Sequence, residues 1–164
     1  MTTENPIMSS SLFDRAGGLV ELFNRSLAYL APVGDVLLRL WVANVFFKSG
    51  LTKIQSFDST IALFEYEYSV PLLSPVVAAY LGTATELIFP VLLLLGLAGR
   101  FSAFVLFVLN IIAAVSYPEI SDLGVRDHQV WGIMLFVSMA HGPGKLSLDY
   151  LVWHRLRHLW RREA

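Results

Sequence analysis

No cysteine occurs in this chain of 164 residues. That excludes disulfides, thiolate metal ligands and cysteine redox chemistry, so any electron transfer needs a bound cofactor or a partner. Charge is scarce as well. Asp, Glu, Lys and Arg make up 15% of the residues against 55% hydrophobic ones, and mean hydropathy is +0.61. A soluble domain carries roughly 25% charged residues, so lipid must be a large part of the solvent here. The formal net charge of −1 gives no basic surplus, and nucleic acid is not expected as a partner. The start, "MTTENPIMSSSLFDRAGG", lacks a basic stretch, an apolar run and a small-residue cleavage site, so no secretory signal is expected. A Ser-His-Asp set and a phosphate loop are missing too, so no self-contained catalytic motif is assigned. No two histidines stand at i, i+4 inside an apolar span. His154 and His158 have that spacing but lie in a basic tail, where headgroup contact is the simpler reading, and no metal site is assigned.

What is present is four hydrophobic stretches: 33–54, 72–96, 100–118 and 126–144. A spanning helix needs about 20 residues. The second and third stretches meet this cleanly. The first and fourth carry polar groups that a neighbouring helix must shield. "LAG" at 97–99 followed by Arg100 predicts a tight hairpin, and "PEISDLG" at 118–124 a short polar turn. The link "QSFDSTIALFEYEYSVP" predicts a short surface helix, capped by Asp58 or Ser56 and ended by Pro71. Both ends are amphipathic. In the C-terminal one, Leu146, Tyr150, Trp153, Leu156 and Trp160 form an apolar stripe beside basic residues. The expected fold is therefore all-α: an integral membrane four-helix bundle with amphipathic interfacial helices at both termini. Its parts are an N-terminal segment (1–32), a four-span domain (33–144) and a basic tail (145–164).

Four spans put both termini on one side. That side carries Arg15, Arg25, Arg100, Lys145, Arg155, Arg157, Arg161 and Arg162. The other side is acidic, with Asp58, Glu65, Glu67, Glu119, Asp122 and Asp127, its main cations being Lys53 and Arg126. The positive-inside rule places both termini in the cytoplasm.

Intramembrane charges mark candidate sites, because each costs about 2.5–3.5 kcal/mol on insertion scales. Arg39 and Glu86 are the two deepest. Arg39 lies about six residues above the cytoplasmic start of its span and Glu86 about ten from that end of its own, a depth difference of roughly 6 Å. An Arg39–Glu86 pair is expected, serving either proton handling or helix register. Thr83 shares the Glu86 face with Ala79, Gly82 and Pro90, and Lys53 shares the Arg39 face. Pro90 cannot bond back to the Glu86 carbonyl, which leaves a polar spot at mid-membrane. Asn110 in the third stretch wants an interhelical partner. His128 and Trp131 lie in the fourth. Lys53, Thr83, Asn110, His128 and Trp131 are the ligand-binding candidates. Trp41, Phe46, Phe47, Tyr80, Phe89 and Trp131 are numerous enough to line a flat apolar pocket for a quinone or isoprenoid ring, although aromatics on membrane helices more often pack or face lipid.

Three stretches resemble the DoxX family of small four-helix bacterial membrane proteins, over about residues 33–149. "LLRLWVANVFFKSGLTKI" is similar to its first span, with Arg39, Ser49, Gly50 and Lys53. "ATELIFPVLLLLGLAGR" is similar to the second, with Glu86, Gly96 and Arg100. "HGPGKLSLD" is similar to the closing turn, with Gly142, Pro143, Gly144, Ser147 and Asp149. The resemblance implies a bacterial inner-membrane protein and a preference for quinone-linked redox chemistry alongside a partner protein. The expected function is an accessory subunit of a quinone-linked membrane oxidoreductase. The alternative is a non-enzymatic anchor, scaffold or small-molecule permeation protein. The expected partners are the lipid bilayer, a redox protein and further copies of the chain.

Overall fold

The computed structural model describes residues 6–163, with side chains for 15–155. The described residues form six helices and no strand: α1 (Pro6–Gln55), α2 (Phe57–Tyr66), α3 (Pro75–Leu95), α4 (Gly99–Ser116), α5 (Asp122–His141) and α6 (Leu148–Glu163). Three contain stretches long and apolar enough to cross a membrane: Arg15–Gln55 within α1, α3 and α4. The sequence suggests a fourth in α5. That helix has 20 residues, but its first two turns carry Asp122, Arg126, Asp127, His128 and Gln129, and it is not among the three.

Contacts divide the chain into two units, residues 1–34 and 35–164. In the first unit the described side chains are exposed except half-buried Pro32, with Leu19, Leu22, Phe23 and Tyr29 among the exposed ones. The expected boundary between an interfacial segment and a span, near residue 32, is not a helix boundary: Pro32 lies inside α1.

In the second unit, Val42 and Phe46 of α1, Leu93 of α3, Ala103 and Leu106 of α4 and Leu135 of α5 form the core. Lipid tails are as apolar as these side chains, so close packing rather than water exclusion holds the helices. Small residues permit it. A Cβ on Gly50 would lie 3.0 Å from the Glu86 Cβ and 2.9 Å from the Leu87 Cδ2, so α1 and α3 touch at backbone distance there. The chain runs oppositely in the two helices, since Arg39 reaches Leu94 while Gly50 meets Glu86 and Leu87.

The turns follow local chemistry. Gly96 takes the left-handed conformation (φ 65°) that ends α3, and Ala98 is also left-handed (φ 48°). This gives the predicted tight hairpin into α4. Ser121 caps α5 by accepting the Gly124 N–H, so α5 starts inside the stretch read as a polar turn. The surface helix is present as α2. Ser56 is its N-cap but its side chain accepts no backbone N–H, and the helix stops at Tyr66, before Pro71. Leu156 and Trp160 of the C-terminal stripe lie outside the described side chains. Leu146, Tyr150 and Trp153 are exposed.

Candidate functional site

The structure does not join Arg39 to Glu86. The partner of Glu86 is Lys53. Lys53 Nζ lies 2.8 Å from Glu86 Oε1 and 2.6 Å from Oε2, and donates to Ser49 Oγ at 2.8 Å. Ser49 Oγ donates in turn to Glu86 Oε1 at 3.1 Å. The three groups close a ring in which every ammonium proton has an acceptor. Side-chain exposures of 13% for Lys53 and 10% for Glu86 make this a nearly enclosed ion pair.

The reason is the direction of helical side chains, which lean toward the N-terminus of their own helix. Along antiparallel α1 and α3, Lys53 and Glu86 lean toward one another. Arg39 and Glu86 lean apart, which adds to their difference in depth.

Arg39 instead closes the other end of the unit. Its guanidinium donates to the carbonyls of Asp35 (3.3 Å), Leu94 (3.3 Å) and Leu146 (2.7 Å). It is 2% exposed. A cation there suits the C-terminal end of α3, where carbonyls lack helical partners. The closing motif is built around the same end. Asp149 accepts the N–H groups of Ala98 and Gly99 at 2.9 and 2.8 Å, and Ser147 caps α6 by accepting the Tyr150 N–H. Side-chain space at Gly96 is closed by Ser147, and at Gly144 by Asp35.

Lys53 and Glu86 stand on the wall of a cavity of about 260 Å³ between α3, α4 and the α2–α3 linker. Its other walls include Phe64, Tyr68, Leu81, Val105 and Leu109. Tyr68 stacks between Phe64 and Tyr117, with centroids 5.0 and 5.2 Å away, and the adjacent Ser69 N–H bonds the Ser116 carbonyl. Burial first, then the charge of Glu86, pushes the Tyr68 phenol above its ordinary value, so it stays an O–H donor. The site therefore offers an apolar slot, a carboxylate, an ammonium and a phenol.

The other candidates are distributed more widely. Thr83 is buried, and its Oγ1 has no partner among the described residues. Asn110 and His128 bond each other across α4 and α5. Trp131 sets its ring edge-on to Phe46 and His128. None of the six aromatics read as pocket residues lines the Lys53–Glu86 cavity: Trp41 faces outward, Tyr80 packs on Phe57, and Phe89 on Phe101. Phe64 and Tyr68 line that cavity instead. The signal for these two is the run "LFEYEY", residues 63–68, where a spacing of four separates Phe64 from Tyr68, although α2 itself ends at Tyr66.

A helical protein with membrane-crossing helices and an ion pair buried between two of them is thus defined. The chain belongs to the DoxX family, whose match covers residues 34–118. It is 41% identical over 124 residues to a Bacillus subtilis protein described as "putative oxidoreductase CatD", covering 74% of this chain and 88% of that one. It is 32% identical over 127 residues to an uncharacterized Haemophilus influenzae protein, covering 73% of this chain and 83% of that one. No solved structure matches it.

Proposed function

We propose that the chain is a multi-pass protein of the bacterial inner membrane that holds a quinone-type ring beside Lys53 and Glu86 as an accessory subunit of a quinone-linked oxidoreductase. The observation that carries this is an ion pair on the wall of a mostly apolar cavity. Its volume of about 260 Å³ is near the lower end of small-molecule sites, roughly 300–1,000 Å³, and fits one ring-bearing headgroup rather than a whole tailed lipid. The relative described as an oxidoreductase gives the same direction.

In this reading α5 is the fourth span. Its charged first turns lie at the acidic outer side, and both termini are cytoplasmic. The parts are the N-terminal segment 1–32, the four-span domain 33–144 and the basic tail 145–164. A quinone, when bound, supplies two-electron, two-proton chemistry. The chain's own residues do the rest. Glu86 Oε2 accepts one bond, from Lys53, and keeps lone-pair capacity for a ring hydroxyl. Lys53 keeps Glu86 ionised, the carboxylate accepts a proton from a ring hydroxyl, and Tyr68 donates to a ring oxygen. Arg39 takes no part and positions the cytoplasmic end. The electrons that reduce the ring come from a redox partner protein, and copies of the chain can assemble around it.

The test is extraction of lipid from protein purified in detergent. Quinone should co-purify with the wild type and fall at least tenfold in Glu86→Gln and in Tyr68→Phe, both still folded. Absence of quinone from folded wild-type protein sinks the reading.

A second reading has one observation in its favour. Asp149 fixes the start of α6 to the α3–α4 hairpin, while Leu151, Val152 and Trp153 are exposed. A fixed helix with an exposed face suits an anchor for a partner. Co-purification of a soluble protein that is lost on deleting 150–164, with no bound quinone, favours that reading.

A further inference from the structure

A second polar feature lies on the opposite side of α4 and is independent of the quinone reading. Val105, Leu109 and Ile112 of α4 face the Lys53–Glu86 cavity, whereas Phe107, Asn110, Ile111 and Ala114 face a groove between α4 and α5 of about 630 Å³. Asn110 is the polar residue of this wall and is 3% exposed. Its Nδ2 donates to the His128 carbonyl at 2.9 Å, and its Oδ1 lies 2.8 Å from His128 Nδ1.

These two bonds fix the chemistry of the imidazole. The carbonyl of His128 can only accept, so the Asn110 amide must present Nδ2 to it and Oδ1 to the ring. Oδ1 can only accept, so Nδ1 carries the proton. In the neutral ring, Nε2 is then an unprotonated acceptor, and among the described residues it has no hydrogen-bond partner. The indole of Trp131, 5.0 Å from the imidazole and steeply inclined, holds the ring plane. Gly132 leaves space for the amide: a Cβ there would lie 3.3 Å from Asn110 Nδ2.

We propose that this groove binds a lipid-soluble molecule carrying a free hydroxyl, which donates to His128 Nε2. The volume falls within the range of small-molecule sites. The walls are apolar apart from Asn110, His128 and Gln129, with no cation for a phosphate and too few polar groups for a sugar. What remains is a hydrocarbon or aromatic body with one donor. Asn110 stands six residues before the end of α4, about 9 Å from that helix end, a depth a lipid hydroxyl reaches while its tail stays in hydrocarbon. The hydroxyl is phenolic or aliphatic, and the two are separable.

The full chain in lipid nanodiscs is loaded with tritiated 4-dodecylphenol and challenged with unlabelled 4-dodecylphenol or its methyl ether, which has the same body and no donor. The phenol should displace about tenfold better than the ether, the effect of one buried hydrogen bond. Dodecanol against its own methyl ether reports whether an aliphatic hydroxyl serves as well. His128→Phe should equalise phenol and ether, with a lowered thermal midpoint because Asn110 Oδ1 loses its donor, and Ala114→Leu, which narrows the groove without touching the pair, should weaken both. Glu86→Gln should leave the preference intact. In ¹⁵N-histidine-labelled wild type, the Nε2 signal of His128 should move with the phenol and not the ether, which keeps the test alive if His128→Phe does not fold. Equal displacement by phenol and ether in the wild type, an unmoved Nε2 signal, or a preference that disappears in Glu86→Gln but survives in His128→Phe overturns the proposal.

Discussion

Lys53 Nζ meets Glu86 Oε2 at 2.6 Å because the two side chains lean toward each other along antiparallel helices. Ser49, one turn below Lys53, completes the ring and leaves the ammonium fully bonded. The pair bridges the two helices that meet at Gly50, with both side chains mostly enclosed by protein.

Breaking this pair one side at a time should cost more than removing both. Lys53→Met leaves a carboxylate without its counter-ion, and the expected loss is about 3–5 kcal/mol. Lys53→Met/Glu86→Gln removes both charges and should recover part of it, with a coupling of about 0.5–3 kcal/mol. Thermal or chemical unfolding of the four proteins of the cycle gives the coupling directly. Additive losses would show that the pair contributes nothing as a pair.

Arg39 should behave differently. Its donors reach carbonyls from three segments, a fork that an ammonium cannot reproduce. Arg39→Lys should cost about 1.5–3 kcal/mol of stability, while any ligand held at Glu86 stays bound. A folded Arg39→Lys protein that loses the ligand as Glu86→Gln does would return Arg39 to the site.

Asp149 fastens α6 to the amino end of α4 through two backbone N–H groups. Asp149→Ala should cost about 1–3 kcal/mol, because both donors lose their acceptor together. Ala98, one of those donors, sits at φ 48°. Ala98→Gly keeps the bond and removes the left-handed penalty of roughly 1–2 kcal/mol, so it should raise the thermal midpoint despite glycine's extra entropy in the unfolded chain. The two substitutions flank one hydrogen bond and move stability in opposite directions, which a melting curve resolves.

Hydropathy and turn chemistry made the helices legible. Gly96 marks the end of α3, and apolar runs of spanning length mark α3 and α4. Depth alone pairs Glu86 with Arg39, but the lean of helical side chains along antiparallel α1 and α3 gives Glu86 to Lys53 instead. Lys53 shares the Arg39 face and is a ligand-binding candidate by sequence, but its position near the outer end of its span groups it with the outer-side cations. Asn110 was read as needing an interhelical partner, and it has one in His128, whose identity depends on how α4 and α5 register. The cavity itself was not legible. Its aromatic wall comes from Phe64 and Tyr68, outside the long apolar runs, and only tertiary packing brings that linker against Glu86.

Gly50 offers the sharpest check on the geometry of the pair. A methyl group there would stand 2.9 Å from the Leu87 Cδ2 and 3.0 Å from the Glu86 Cβ. The Leu87 methyl is the end of a flexible side chain and can swing away. The Glu86 Cβ is fixed to the α3 backbone and cannot. Gly50→Ala should therefore push α1 from α3 and cost about 1–3 kcal/mol as overpacking, even though alanine favours a helix more than glycine does. Adding Leu87→Ala to it should restore only part of the loss, since the contact with Glu86 persists. A Gly50→Ala protein as stable as the wild type would mean that α1 and α3 do not approach at backbone distance, and the short Lys53–Glu86 bridge would fall with that.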